Sequence, residues 1–134
     1  MSGLVLKLNP KERVLVNGAV IENGDRRSRL SILTPNANIL RLRDAIRPDE
    51  VNTPVRRVCY IAQLVLSGDA KEADAKFQIL RGIEQLSQAL RDEDSRSVLG
   101  AATASMQEGD FYRTLKNLRL LLPREARLMS PRVN

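Results

Sequence analysis

Asn36-Ala37-Asn38-Ile39-Leu40-Arg41-Leu42-Arg43-Asp44-Ala45-Ile46 decides how the chain is read, because Leu40 and Leu42 alternate with Arg41 and Arg43. Alternation of period two is a strand signal, and successive strand side chains point to opposite faces. The pattern predicts a strand over residues 38–43 that sends both leucines into a core and projects both arginines together from the other side. Two guanidinium forks would then stand about 7 Å apart, close to the spacing of successive phosphates. Such a face suits a polyanion, and its plain alternative is a solvated sheet surface.

Upstream, Leu4-Val5-Leu6-Lys7-Leu8 reads as an opening strand stopped by Asn9-Pro10. A second strand is expected over 12–16, a third over 19–22 and a fourth over 26–33. Asn17-Gly18 between the second and third tolerates the positive φ angles of a two-residue hairpin turn. Five short strands in about 45 positions predict a small antiparallel sheet or barrel. A module of that size buries little surface alone, so it is expected to pack on the remaining chain or on a second copy, as a homodimer.

Beyond Asp44 the period changes. Thr53-Pro54 marks a helix start, with a hydroxyl cap and a proline in the first turn, and Ser67-Gly68 marks its end. This helix is apolar nearly all round, including Val58, Ile61 and Leu64, which predicts central burial or an interface. Asp69 with Glu72 suggests a capping box for a second helix, whose seam is Ile79, Ile83, Leu86 and Leu90. Residues 91–95 read as a polar connection, and a third helix over about 97–107 is rich in small residues. A fourth carries the stripe Phe111, Leu115, Leu118 and Leu122 until Pro123 stops it, and 124–134 reads as a basic mobile tail. The expected fold is α+β, with an antiparallel β module of about five strands over 1–46 and a bundle of about four helices over 53–123.

Charge narrows the function. The net charge of the 134 residues is +6, and it is segregated. Residues 1–46 hold eight Lys/Arg against four Asp/Glu, 47–110 eight against eleven, and 111–134 six against one. Segregation of this kind favours a nucleic-acid partner or an acidic protein partner. No run is long and apolar enough for a membrane span and no secretory leader is evident, so a cytoplasmic protein with no membrane role is expected. The chain has no histidine and one cysteine, Cys59, set in an apolar helix run where a thiol serves as inert filling. An enzyme, a bound metal, a cofactor and a small-molecule substrate are therefore all unexpected. Lys7, Arg27, Arg29, Arg41 and Arg43 are the candidate RNA-binding residues. The first 43 residues contain no aromatic side chain on which bases could stack, so recognition would use arginine forks, backbone groups and base edges.

Leu-Val-Leu-Lys-Leu at 4–8, Val-Asn-Gly-Ala-Val-Ile-Glu-Asn-Gly-Asp at 16–25, Leu-Thr-Pro-Asn-Ala-Asn-Ile-Leu-Arg at 33–41 and Thr-Pro-Val-Arg-Arg-Val-Cys-Tyr-Ile-Ala-Gln at 53–63 resemble the flagellum biosynthesis repressor FlbT family of alphaproteobacteria. The resemblance spans nearly the whole chain. It implies a cytoplasmic protein that associates with the 5′ untranslated region of flagellin mRNA, controls its translation and decay, and works alongside the flagellin regulator FlaF. Residues 3–46 are also similar to the carbon storage regulator family of mRNA-binding proteins, and Arg43 matches an arginine that contacts RNA there. The first strand departs from that pattern, since Leu8-Asn9 follows Lys7 where the family places basic residues. A different class of function is a secretion chaperone or adaptor, gripping a helix of flagellin or FlaF with Val58, Ile61, Leu64, Phe111 and Leu115.

Overall fold

The structure, a computed structural model, describes residues 4–129. Five strands come first: β1 (Leu4–Leu8), β2 (Arg13–Val16), β3 (Ala19–Glu22), β4 (Ser28–Ile32) and β5 (Ile39–Arg41). They form two antiparallel sheets, β1 with β4 and β3-β2-β5. The hairpin between β2 and β3 turns at Asn17 and Gly18, whose φ angles of 48° and 86° are those of a tight two-residue turn. Asn17 also grips the approach to β5, because its side-chain oxygen accepts from Asn38 N at 2.9 Å while its own N–H donates to Asn38 O at 2.8 Å. Leu6 and Leu8 of β1, at alternate positions, fill the space between the sheets with Val14 of β2 and Ile39 of β5, while β3 stays exposed and Leu40 packs on the helices.

The strand predicted over 38–43 ends early. After Arg41 the chain enters a 3-10 turn, Leu42–Asp44, closed by Ala45 N donating to Leu42 O at 3.2 Å. Leu42 is consequently exposed rather than in the core, and Ile46 is buried instead. Arg41 and Arg43 therefore do not share an outward strand face. Arg41 turns inward to Glu12, a carboxylate with only 4 % of its side chain exposed, and binds it through Nε at 2.8 Å and Nη2 at 3.3 Å. The same guanidinium donates to the backbone oxygen of Lys7 in β1. Asn9 N adds a 3.0 Å bond to Glu12, and the Arg43 Nε lies 3.6 Å away.

Five helices follow: α1 (Pro54–Leu66), α2 (Glu72–Ala89), α3 (Glu93–Gln107), α4 (Phe111–Arg119) and α5 (Leu122–Met129). Thr53 caps α1 as its sequence predicts, accepting from Arg56 N. α2 starts without the expected capping box: Lys71 is its N-cap, and Asp69 instead accepts from Ser67 Oγ at 2.7 Å. The acidic run 92–94 is not a connection but the start of α3, with Asp92 accepting from Ser95 N and acidic side chains at the positive end of the helix. Hydrogen bonding to Ser95, assisted by nearby Arg124, holds the Asp92 carboxyl below its usual range.

The expected basic tail is a fifth helix as far as Met129, and its remainder, 130–134, lies outside the described residues. Pro123 belongs to the first turn of α5, where a missing N–H costs nothing. α5 is tied down at two points. Glu125, 7 % exposed, accepts from Thr53 Oγ1 and from Val55 N at 2.8 Å, so it occupies a free amide at the start of α1. Arg124 reaches Asp92 at 3.0 Å and Ser95 Oγ at 2.7 Å on α3.

α1 sits centrally, packed on α2 and α4, and its near-complete apolar girth reflects that position. Phe111, Leu115 and Leu118 of α4 are buried in this helical core, so Phe111 and Leu115 are not a surface grip for a partner. The two modules are bolted together. Gln63 of α1 accepts from Ile46 N at 2.7 Å and donates to Ile46 O at 2.9 Å, Arg119 donates to Asp44 O at 2.8 Å, and Tyr112 packs against both cores.

Two consequences are measurable. An added Cβ at Gly82 of α2 would stand 2.5 Å from Val58 Cγ2 of α1, and a β-branched valine in a helix has little rotamer freedom to withdraw. Gly82→Ala should lower stability in urea by about 1–2 kcal/mol, overpacking outweighing the gain in helix propensity, and Val58→Ala in the same chain should recover part of the loss. Burial alone pushes the Glu12 carboxyl up, but the Asn9 amide, Arg41 and Arg43 together hold it below the usual glutamate range. A carboxyl lowered in the folded state contributes stability above its unfolded value of about 4.3 and loses it as the pH falls through the folded value. Glu12→Gln should therefore cost about 3 kcal/mol at pH 7, by leaving Arg41 unpaired, and should flatten the decline of stability in acid.

Candidate nucleic-acid interface

β1 turns Leu4, Leu6 and Leu8 toward the core side, which leaves Val5 and Lys7 on its outer face. The register with β4 puts Lys7 directly opposite Arg29 and Val5 opposite Ser31. Like charges at directly opposed positions repel, and each such pair weakens a sheet by a few tenths of a kcal/mol or more. Neither side chain is neutralised: no carboxylate pairs with Lys7 or Arg29 among the described residues. Arg26 and Arg27, immediately before β4, are exposed and likewise have no ion pair. An anion laid along this face would relieve the repulsion.

The loop that carries these arginines is held in shape by Asn23. Its side-chain amide donates to Asn9 O at 2.7 Å and to Arg26 O at 2.9 Å, and its oxygen accepts from Ser28 Oγ at 2.7 Å. One asparagine thus joins the end of β1, the basic bend and the start of β4. Nothing in the local pattern of Asn23-Gly24-Asp25 distinguishes it from an ordinary turn, since its partners lie up to 15 residues away.

Of the five sequence-predicted RNA residues, the structure brings Lys7 and Arg29 side by side and sets Arg27 next to them. Arg41, 16 % exposed at its side chain, is taken up by Glu12 and the Lys7 carbonyl. Arg43 is 48 % exposed, 3.6 Å from Glu12 and 3.9 Å from Asp44, so it retains a free side but not the partnership with Arg41 that alternation predicted. Glu12 is the residue that sequence reasoning missed. Its only signal is a carboxylate beside the second strand, 29 residues from the arginine it binds.

The arrangement offers little to covalent chemistry. Burial pushes the Cys59 thiol up to about 12, so the thiolate nucleophile is absent near neutrality. Among the described residues no group of three His, Cys, Asp or Glu side chains could hold a metal ion, and no helix is long and apolar enough to cross a membrane. Of the residues suggested for partner binding, Val58 and Ile61 line an apolar groove with α2 and α5, whereas Leu64 lies half-buried outside it.

The model of the family described as "Flagellar protein FlbT" matches residues 4–129. A Bradyrhizobium diazoefficiens protein named "Probable flagellum biosynthesis repressor protein FlbT 1" is 35 % identical over 127 residues, covering 93 % of this chain and 84 % of that one. A Brucella abortus protein named as a probable flagellum biosynthesis repressor FlbT is 32 % identical, with 92 % and 80 % covered. A similarly named Caulobacter protein is 29 % identical, with 91 % and 92 % covered. No solved structure matches the chain. With the family match running through both the β module and all five helices, the chain belongs to the FlbT family of flagellar proteins.

Proposed function

We propose that this protein is a non-catalytic, cytoplasmic regulator of flagellum biogenesis that holds the 5′ untranslated region of flagellin mRNA on the outer face of β1 and β4 and so represses its translation and affects its decay. Membership of the FlbT family and the repressor names of its relatives support the regulatory part. The RNA part rests on one observation, the opposed and unneutralised pair Lys7 and Arg29. Arg26 and Arg27 extend its charge toward the start of β4, and the exposed side of Arg43 adds to it from beyond β5.

Arg41 has a different part in this reading from the one alternation assigned it. It fixes β1 to β2 through Lys7 O and Glu12, which keeps the binding face rigid rather than touching the ligand. Without stacking aromatics, affinity comes from phosphates and selectivity from hydrogen bonds to base edges. Any cleavage of the message belongs to a recruited nuclease.

The test is binding of a labelled flagellin leader RNA by fluorescence anisotropy across a salt series. Four phosphate contacts on single-stranded RNA should weaken binding about 50-fold between 50 and 200 mM salt. Lys7→Ala with Arg29→Ala should remove two of them, reducing that dependence to about sevenfold and weakening binding at least about tenfold at 100 mM, with the circular dichroism spectrum unchanged. Binding identical to that of the parent protein, or no binding at 50 mM salt, overturns the reading.

A further inference from the structure

α1, α2 and α5 leave an open groove of about 630 Å³ between them. Its floor is Val58 and Ile61 of α1 with Leu86 of α2, and Gly82 lets the two helices approach closely enough to make that floor continuous. Its walls are unusually exposed for apolar side chains: Phe77 is 63 % accessible, Leu128 70 % and Met129 59 %. Contiguous apolar exposure on this scale marks an interaction surface, and methionine and phenylalanine adapt readily to a partner. From Phe77 to Leu90 the groove follows α2 for about 20 Å, the length of three to four helical turns.

The charge of the rim says what fits. Arg57 of α1 and Arg81 of α2 line the groove, and neither has a carboxylate partner among the described residues. Arg81 lies over the Phe77 ring, 5.8 Å from its centre, which keeps its charge beside the apolar wall. Among the described residues the one carboxylate that reaches the groove, Glu125, is already taken up by Thr53 and Val55 N. A second copy docked face to face would put the Arg57 and Arg81 of both chains into one interface in which the lining carboxylate, Glu125, is already engaged, which disfavours self-association through this surface.

We propose that the α1-α2-α5 groove is the docking site for an amphipathic helix of a protein partner, one that buries an apolar stripe between Phe77 and Met129 and sets acidic side chains against Arg57 and Arg81. The groove shares no residue with the basic face of β1 and β4, so the partner helix and a polyanion engage separate surfaces.

The probe is a synthetic 18-residue amphipathic helical peptide with leucines along one stripe and glutamates flanking it, compared with the same peptide carrying lysines in place of the glutamates. Titrated against the full chain by fluorescence anisotropy, the glutamate peptide should bind at least twentyfold tighter than the lysine peptide. Phe77→Asp, at an exposed position that leaves the fold intact by circular dichroism, should weaken it at least tenfold. Arg57→Glu with Arg81→Glu should reverse the preference between the two peptides. Failure of the glutamate peptide to bind at 100 µM, equal binding of both peptides, or indifference to Phe77→Asp overturns the proposal. So does a dimer in sedimentation that Phe77→Asp dissociates, because the groove would then hold a second copy.

Discussion

A carboxylate sealed from water keeps its charge only where donors replace the hydration it has lost, and Glu12 obtains them from three parts of the chain. Asn9 N donates from the end of β1 and Arg41 from the end of β5, Arg43 adds its charge at 3.6 Å from the turn beyond, and Glu12 itself leads into β2. Removing any one donor leaves a buried charge short of partners, so the set holds or fails together. Because Arg41 also donates to Lys7 O, this knot fastens the β1-β4 sheet to the β3-β2-β5 sheet. Among the described residues the core between those sheets is small, four buried side chains with a few half-buried ones around them, so packing there needs the help of the knot.

The helical half solves the same problem with different chemistry. Here the core is large, and polar side chains settle orientation rather than cohesion. Gln63 meets both the N–H and the C=O of Ile46, so a single amide fixes where the β module leaves off and α1 lies. Glu125 satisfies an opening amide of α1, that of Val55, from another helix altogether, and α5 so held forms one side of the groove it shares with α1 and α2. Ser105 and Thr114 share a buried 2.7 Å bond between α3 and α4, and the Thr114 hydroxyl donates to Asp110 O at 2.8 Å. Interior polar groups in this protein are matched locally: no buried side-chain nitrogen or oxygen among the described residues lacks a partner.

What could be read from the sequence follows from range. Asn17-Gly18 announces its turn because the conformational demand is met within two residues, and Thr53-Pro54 announces a helix for the same reason. The strands of β1 and β3 have the bounds that alternation and flanking turns assign. Reading failed where a distant partner overrode a local pattern. Arg41-Leu42-Arg43 has the alternation of a strand, but Glu12 draws both arginines toward one point and the chain coils after Arg41 to allow it. Arg124 and Glu125 look like the start of a solvated tail, but contacts with α3 and α1 make them the fasteners of a helix. Phe111 and Leu115 form a stripe that a partner or a core could equally cover, and periodicity cannot tell which.

The positive charge illustrates why a count from sequence is a poor guide to binding. Arginine's planar fork can bridge backbone oxygens and carboxylates, and this protein uses several of its arginines in that way. Arg41 joins two sheets, Arg119 reaches Asp44 from α4, Arg56 donates to Glu50 O at 3.2 Å, and Arg124 anchors α5. A phosphate would have to displace those bonds, at the cost of the fold they hold. Other cations have no carboxylate partner among the described residues, and some of them fall together. Lys7, Arg26, Arg27 and Arg29 fall on or beside one pair of strands, and Arg57 and Arg81 rim one groove. Local charge therefore depends on which side chains stay unpaired around β1 and β4, and the formal excess of +6 does not describe it.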